Sequence, residues 1–262
     1  MDWIEANGAS LRYELSGSGS ETVVLIHEVG GLIESWDDAV GALQRSFRVL
    51  RYDQRGFGLS EKTRAITMDG IVADLAALLD VLGLRAPVHL AGCAMGAAIA
   101  LAFAGRHPTR VSRVVAASPA TWANTVRVGS QSRVDQFERD GVRAVESVSL
   151  RASYPEIMRR LDPARFERFR RRWVGNDPAA MTAMLRMSTN PAFDLSADLA
   201  RITAPTLVIG CTHDGIRTPD MVAKAAAAIP GARYVEANTG HFMAVETPDL
   251  FTELAVPFLK GA

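Results

Sequence analysis

The 262-residue sequence has no excess charge of either sign, because 29 lysines and arginines balance 29 aspartates and glutamates. Binding to nucleic acid or to an anionic membrane usually requires a basic excess, so neither partner is predicted. No apolar run approaches the roughly 18 residues that span a bilayer, and the first residues lack the order of a signal peptide. We therefore expect a cytoplasmic protein with a small-molecule substrate; its oligomeric state, monomer or homo-oligomer, stays open.

Cysteine is scarce, and the two present, Cys93 and Cys211, belong to no Cys-x-x-Cys pair or Cys/His cluster. Neither a metal site nor a disulfide is predicted from this spacing. The sequence also lacks a Gly-x-Gly-x-x-Gly segment after its first strand and a phosphate-binding loop of the Gly-rich Lys-Ser/Thr type. No cofactor is therefore expected.

Short apolar runs alternate with helical patterns along most of the chain. A hairpin is predicted around Asn7-Gly8, and buried strands are predicted at 23–26, 47–52, 88–91, 111–116, 206–209 and 233–235. Helical spacing is clearest at 68–82, 97–105, 219–229 and 248–259. This alternation predicts an α/β fold with a mostly parallel central sheet and helices on both faces.

One long stretch, from about 125 to 201, contains helical patterns but no strand-like run. We interpret it as a helical cap of residues 125–201, inserted into an α/β core formed by 1–124 and 202–262. Between Arg127 and Arg186 this segment has thirteen arginines, no lysine and eight acidic residues. Arginine binds carboxylates well, so one hypothesis is that the cap recognises an anionic substrate.

The run at 88–91 is followed by Gly92-Cys93-Ala94-Met95-Gly96, which leads into an alanine-rich helix. Two glycines at this spacing are typical of the strained strand-to-helix turn Gly-x-Ser-x-Gly, which exposes a nucleophile above the sheet. The central residue here is Ala94. This frame predicts that an alanine occupies the nucleophile position.

An alternative frame would make Cys93 the nucleophile. Its flanking positions would then be Ala91 and Met95, and a methionine is too bulky where the turn requires glycine. We therefore favour the interpretation of Cys93 as a small buried residue.

The segment His27-Glu28-Val29-Gly30-Gly31 resembles the loop that follows a central strand in the α/β-hydrolase superfamily. The resemblance implies that the backbone N–H groups of Val29 and Met95 form an oxyanion hole. Glu28 departs from the family pattern, which usually has glycine there. Two interpretations of Glu28 stay open: a locally hydrogen-bonded loop carboxylate, or a general acid or base.

Two later segments extend this resemblance. Asp214, after the strand at 206–209, is similar to the acid of the family's catalytic triad, and His241 within Gly240-His241-Phe242 is similar to its histidine. The order of nucleophile, acid and histidine along the chain is also that of the family. The segments at 51–60 and 106–111 resemble structural signatures of the superfamily, and the combination is most similar to 3-oxoadipate enol-lactonase-like hydrolases and esterases.

The resemblance implies a hydrolase acting on an ester, a lactone or an activated carbon–carbon bond of a small, carboxylated or neutral substrate. A methyl group cannot attack a carbonyl, so Ala94 removes the acyl-enzyme route. Either Ala94 is an engineered Ser→Ala replacement, or the sequence is a natural one that works without serine. In the second case the protein is a lyase or isomerase that uses Glu28 and His241, or a hydrolase-like ligand-binding protein.

Overall fold

The computed structural model describes residues 1–123 and 130–261 and contains one eight-stranded sheet in the order β1-β2-β4-β3-β5-β6-β7-β8. Strands β3 to β8 pair in parallel, whereas β1 and β2 are antiparallel to their neighbours. The predicted α/β fold with a mostly parallel sheet is therefore confirmed. The strands are β1 Asp2–Ala6, β2 Ala9–Ser16, β3 Thr22–Ile26, β4 Arg48–Tyr52, β5 Val88–Cys93, β6 Val111–Ala117, β7 Thr206–Cys211 and β8 Arg233–Ala237.

The first two strands form the predicted hairpin. Asn7 and Gly8 have φ values of 50° and 70°, and Ala6 pairs with Ala9 across the turn. Asparagine and glycine adopt positive φ more readily than other residues, so this pair determines where the chain reverses. The hairpin adds an antiparallel edge to the parallel part of the sheet.

Helices cover both faces of the sheet. One apolar cluster lies under α2, α3 and α10, and a second lies under α1, α11 and α12. Within the described ranges, no helix is both long enough and apolar enough to cross a bilayer. The helices outside the insertion are α1 Asp37–Gln44, α2 Met68–Val81, α3 Met95–Arg106, α10 Pro219–Ala227, α11 Met243–Glu246 and α12 Pro248–Leu259.

Between β6 and β7 the described chain is helical. Asp162 and Asp177 begin two of these helices, because each carboxylate accepts a backbone N–H of the first turn. The predicted start of the cap at 125 lies outside the described residues, and the division into core and cap stays a prediction. The helices are α4 Ser130–Asp140, α5 Val142–Ser153, α6 Glu156–Leu161, α7 Pro163–Val174, α8 Pro178–Thr189 and α9 Ser196–Leu199.

The segment at 51–60 has the structural role expected from its sequence. The buried Asp53 carboxylate accepts the backbone N–H groups of Ile33 and Leu59 at 2.8 and 2.9 Å and pairs with Arg12 at 3.1 Å. These contacts join the loop after β4 to the loop after β3. They therefore fix the loop after β3 at the carboxyl edge of the sheet.

We expect Gly96→Ala to lower the free energy of unfolding by about 3 kcal/mol or more. A Cβ at Gly96 would lie 2.0 Å from the carbonyl oxygen of Ile26, so the backbone of α3 or β3 would have to move. Gly41→Ala is the matched control: no atom lies within 4 Å of its added Cβ, and alanine should raise the free energy of unfolding by about 0.5–1 kcal/mol. Urea denaturation measures both; equal stability of Gly96→Ala and the parent would contradict this packing.

Candidate active site

The chain turns sharply between β5 and α3, and Ala94 is the residue at this turn. Its φ of 52° and ψ of −114° are unfavourable for a residue with a side chain. The turn is also tightly packed, because a Cβ at Gly92 would lie only 2.4 Å from the carbonyl carbon of Gly96. The Ala94 N–H donates to the Ala117 carbonyl at 2.9 Å, which ties the turn to β6. The Ala94 side chain lines a cavity and is 3% exposed.

The Cys93 thiol lies on the other side of the strand. It packs in the apolar cluster that also contains Cys211, and it is not among the described residues that line the cavity. Burial raises the pKa of Cys93 well above its usual value, and the charge of Glu28 raises it further. Such a thiol stays protonated at neutral pH. The geometry therefore gives no support to the frame in which Cys93 attacks a substrate.

Asp214 and His241 meet at the same edge of the sheet. Asp214 follows β7 and His241 follows β8; the carboxylate oxygen Oδ2 lies 2.6 Å from the ring nitrogen Nδ1. The other carboxylate oxygen accepts the backbone N–H groups of Ile216 and Arg217 at 2.7 and 2.9 Å. The carboxylate is thus held from two sides, and it orients the imidazole toward the cavity that His241 lines.

The charge state of Asp214 follows from these contacts. Burial by itself would raise its pKa, but the interaction with His241 and the two backbone amides outweighs burial and lowers the pKa below its ordinary value. Asp214 is therefore ionised at neutral pH. An ionised carboxylate at Nδ1 favours the tautomer in which Nε2 can accept a proton.

Glu246 lies behind His241. Its carboxylate oxygen Oε1 accepts the backbone N–H of Phe242 at 2.9 Å, whereas Oε2 is buried without a hydrogen-bond partner among the described residues. Burial raises the pKa of Glu246 to about 8; the charges of Asp214 and Glu28 act in the same direction, and the nearby backbone N–H groups of Phe242 and Gly240 act against it. Glu246 is therefore a carboxylic acid that supports the histidine loop.

We expect the pH dependence of stability to reveal this buried acid. An unfolded glutamate ionises near pH 4.5, whereas folded Glu246 keeps its proton up to about pH 8. Its contribution to stability is therefore fully present below about pH 4.5 and is lost as the pH rises through about 8. Relative to Glu246→Gln, the parent should lose about 2–4 kcal/mol of unfolding free energy between pH 5 and pH 8, measured by urea denaturation. Parallel pH profiles for the two chains would contradict a raised pKa.

The loop after β3 brings Val29 to the cavity. His27 is held by the backbone N–H of Gln54, which donates to Nε2 at 3.0 Å. Glu28 is buried, accepts the Ser35 hydroxyl at 2.9 Å, and is not among the described lining residues. This placement favours the interpretation of Glu28 as a locally hydrogen-bonded carboxylate. Its role as an acid or base stays a prediction.

The cavity lies between the sheet edge and the helices of the insertion. Its volume is about 170 Å³, and an apolar cavity of about 150 Å³ holds benzene, so the space suits a small compound. Helices α4, α5, α7 and α8 contribute walls that are apolar or carry hydroxyl groups. The core contributes Val29, Ala94, Met95, His241 and Phe242.

The described arginines of the insertion give no support to the anionic site that their number suggested. None of those described lines the cavity. Several of them pair instead with acidic residues elsewhere, as Arg170 does with Glu146 and Arg165 with Asp38. Arg127 lies outside the described residues. The cationic side chain in the described cavity wall is Arg217, three residues after Asp214.

Sequence reasoning overlooked Arg217 and Glu246. Each lies within a few residues of a predicted triad member, and this proximity was the available signal. Arg217 shares a loop with Asp214, and Glu246 ends the short helix that follows His241.

Comparison with known proteins agrees with this geometry. Residues 21–248 match the family described as the alpha/beta hydrolase fold. The enol-lactonase from Burkholderia xenovorans LB400 has a TM-score of 0.92 at 30% identity, over 99% of this chain and 100% of that chain. A thermophilic esterase from Thermogutta terrifontis, with malate bound, has a TM-score of 0.90 at 25% identity over 99% and 98%. Pyrrolizixenacetamide deacetylase from Xenorhabdus hominickii is 27% identical over 99% of this chain and 98% of its own length. The chain belongs to the alpha/beta hydrolase fold family.

Proposed function

We propose that this chain has the binding site of a hydrolase for a small ester or lactone, with Ala94 in the position of the attacking residue. The observation that carries this proposal is the His241–Asp214 pair at 2.6 Å, whose imidazole faces the same cavity as Ala94. A hydrolase needs this pair to move protons, and the strained turn at Ala94 is where the family places a nucleophile.

The backbone around the cavity suits the charge that develops during acyl transfer. Met95 is the first residue of α3, so its N–H belongs to the helix terminus that lacks intrahelical acceptors. The positive end of the helix dipole adds to the attraction for an anion there. The Met95 N–H and the Val29 N–H, which lies on the opposite loop, would together hold the oxygen of a tetrahedral intermediate.

With a serine at position 94, the proposed reaction has two steps. The hydroxyl oxygen attacks the carbonyl carbon as His241 takes the hydroxyl proton, and the alcohol leaves with that proton. Water then attacks the acyl-enzyme, again with His241 as base, and releases the acid. With Ala94 this covalent path is closed, so the chain as it stands binds substrate and holds it unreacted.

The names of the similar proteins support a small acyl substrate. They include an enol-lactonase, an esterase with malate bound and a deacetylase. Malate is a dicarboxylate, which favours a substrate that carries an acid group. The position of Glu28 outside the described cavity lining supplies no support for a lyase or isomerase that uses its carboxyl group.

A ligand-binding protein without turnover is the second candidate, and Ala94 itself favours it. The test compares hydrolysis of 4-nitrophenyl acetate and of γ-butyrolactone by the parent and by Ala94→Ser. A large gain with serine supports the hydrolase. Binding of the lactone by both chains, with no gain in hydrolysis, would support the ligand-binding protein instead.

A further inference from the structure

A single positive charge distinguishes the wall of the cavity. Arg217 is 5% exposed, and among the lining residues that the structure describes it is the one arginine or lysine, while none is an aspartate or glutamate. The surrounding walls are largely apolar, with Phe137, Trp173 and Met181 among them. In such an enclosure a guanidinium attracts an anionic group more strongly than it would in water.

Arg217 is held in a fixed position relative to His241. Its backbone N–H donates to Asp214 Oδ1 at 2.9 Å, while Asp214 Oδ2 binds the imidazole of His241. Its guanidinium Nη1 donates to the Trp122 carbonyl at 2.9 Å. Because Arg217 and His241 also line the same cavity, an anion at Arg217 and a carbonyl at His241 can belong to the same small molecule.

Two hydroxyl groups lie on the helix that packs against this loop. Ser149 and Ser153 are one turn apart on α5 and both line the cavity. A Cβ at Gly215 would lie 3.8 Å from the Ala152 carbonyl, so α5 contacts the loop that carries Arg217. The Ser149 hydroxyl is buried without a hydrogen-bond partner among the described residues, so it can donate to a ligand.

We propose that Arg217 binds a carboxylate group of the substrate and makes this cavity selective for acidic lactones or esters over neutral ones. The inference rests on the proposed function, since it adds an acid-binding subsite to the same cavity. A planar carboxylate matches the guanidinium, and the Ser149 hydroxyl supplies a further donor. The cavity volume of about 170 Å³ suits a small ring compound that carries both the acid and the carbonyl group.

The experiment uses the parent chain, in which Ala94 leaves lactones intact. Isothermal titration calorimetry compares 5-oxotetrahydrofuran-2-carboxylate with the corresponding carboxamide. We expect the parent to bind the carboxylate about 10-fold or more tightly than the carboxamide, as a charge-assisted hydrogen bond implies. Arg217→Met should abolish this preference while leaving affinity for the carboxamide within about 3-fold, and Arg217→Lys should retain part of it.

Arg171→Met is the matched control, because Arg171 lies on α7 with its side chain 79% exposed and away from the described cavity lining. It should leave both affinities unchanged, and thermal unfolding checks that each variant is folded. Equal binding of the two compounds by the parent would overturn the role of Arg217 but leave the proposed function standing. Tighter binding of the carboxylate that survives in Arg217→Met would likewise overturn the role of Arg217 and leave the proposed function standing. Failure of the parent to bind either compound would overturn both.

Discussion

Ala94→Ser is expected to raise kcat for ester or lactone hydrolysis by roughly 10³- to 10⁶-fold. The lower figure allows for a residual rate in the parent, which the oxyanion donors and substrate binding alone can supply. The upper figure is typical of the fall in kcat when a catalytic serine is removed from a hydrolase. The change adds one oxygen to a Cβ that already lines the cavity, so the turn need not move. Both residues carry a Cβ, and the strain at φ 52° is therefore unchanged.

The covalent intermediate gives this prediction a second measurement. Rapid mixing of Ala94→Ser with 4-nitrophenyl acetate should produce a burst of 4-nitrophenolate, and mass spectrometry should locate an acetyl group on residue 94. The parent should show neither signal. A rate unchanged by serine, despite binding of the ester, would contradict the assignment of position 94.

The matched control for this experiment is the adjacent residue. Cys93→Ala in the Ala94→Ser background should retain the gain, because the Cys93 thiol is buried in the apolar cluster behind the strand. If the gain disappears in a folded double variant, the thiol takes part in the reaction and the frame of the turn must be shifted by one residue.

The sheet was predictable because its signals are local. Asn7-Gly8 specifies a turn by its φ values, and each buried strand is a short apolar run that needs no knowledge of its neighbours. The turn at Ala94 was predictable for the same reason, since the two glycines that permit it lie two residues away on either side. The start of α3 was predicted two residues late, because Met95 and Gly96 were assigned to the turn although they already belong to the helix.

The polar groups of the site were less predictable because they depend on contacts between distant segments. Thirteen arginines between Arg127 and Arg186 indicated a site that binds anions. The arginine in the described cavity wall is Arg217, however, which lies outside that segment. An arginine count does not show which side chains have acidic neighbours, such as the pair formed by Arg186 and Glu138. Likewise, the raised pKa of Glu246 follows from burial, which the sequence near His241 does not reveal.

Asp214→Asn in the Ala94→Ser background is expected to lower kcat by about 10⁴-fold. The orientation of the new amide follows from its neighbours. Oδ1 accepts two backbone N–H groups, from Ile216 and Arg217, so the asparagine oxygen must occupy that position. Its NH2 group then faces Nδ1 of His241, which must become an acceptor and carry its proton on Nε2. An imidazole protonated on Nε2 cannot take the proton of the serine hydroxyl that the Ala94→Ser change introduces.

Because this loss arises from the wrong tautomer, it should appear in kcat with KM changed by less than about 3-fold. Asp214 is not among the described lining residues, so the substrate should bind the variant as before. Asp198→Asn is the matched control: Asp198 is also buried but pairs with Arg106 on α3, so this change should reduce stability and leave kcat unaltered. A fall in kcat of less than 10-fold for Asp214→Asn would mean that His241 acts without the carboxylate, and the 2.6 Å contact would then have a structural role only.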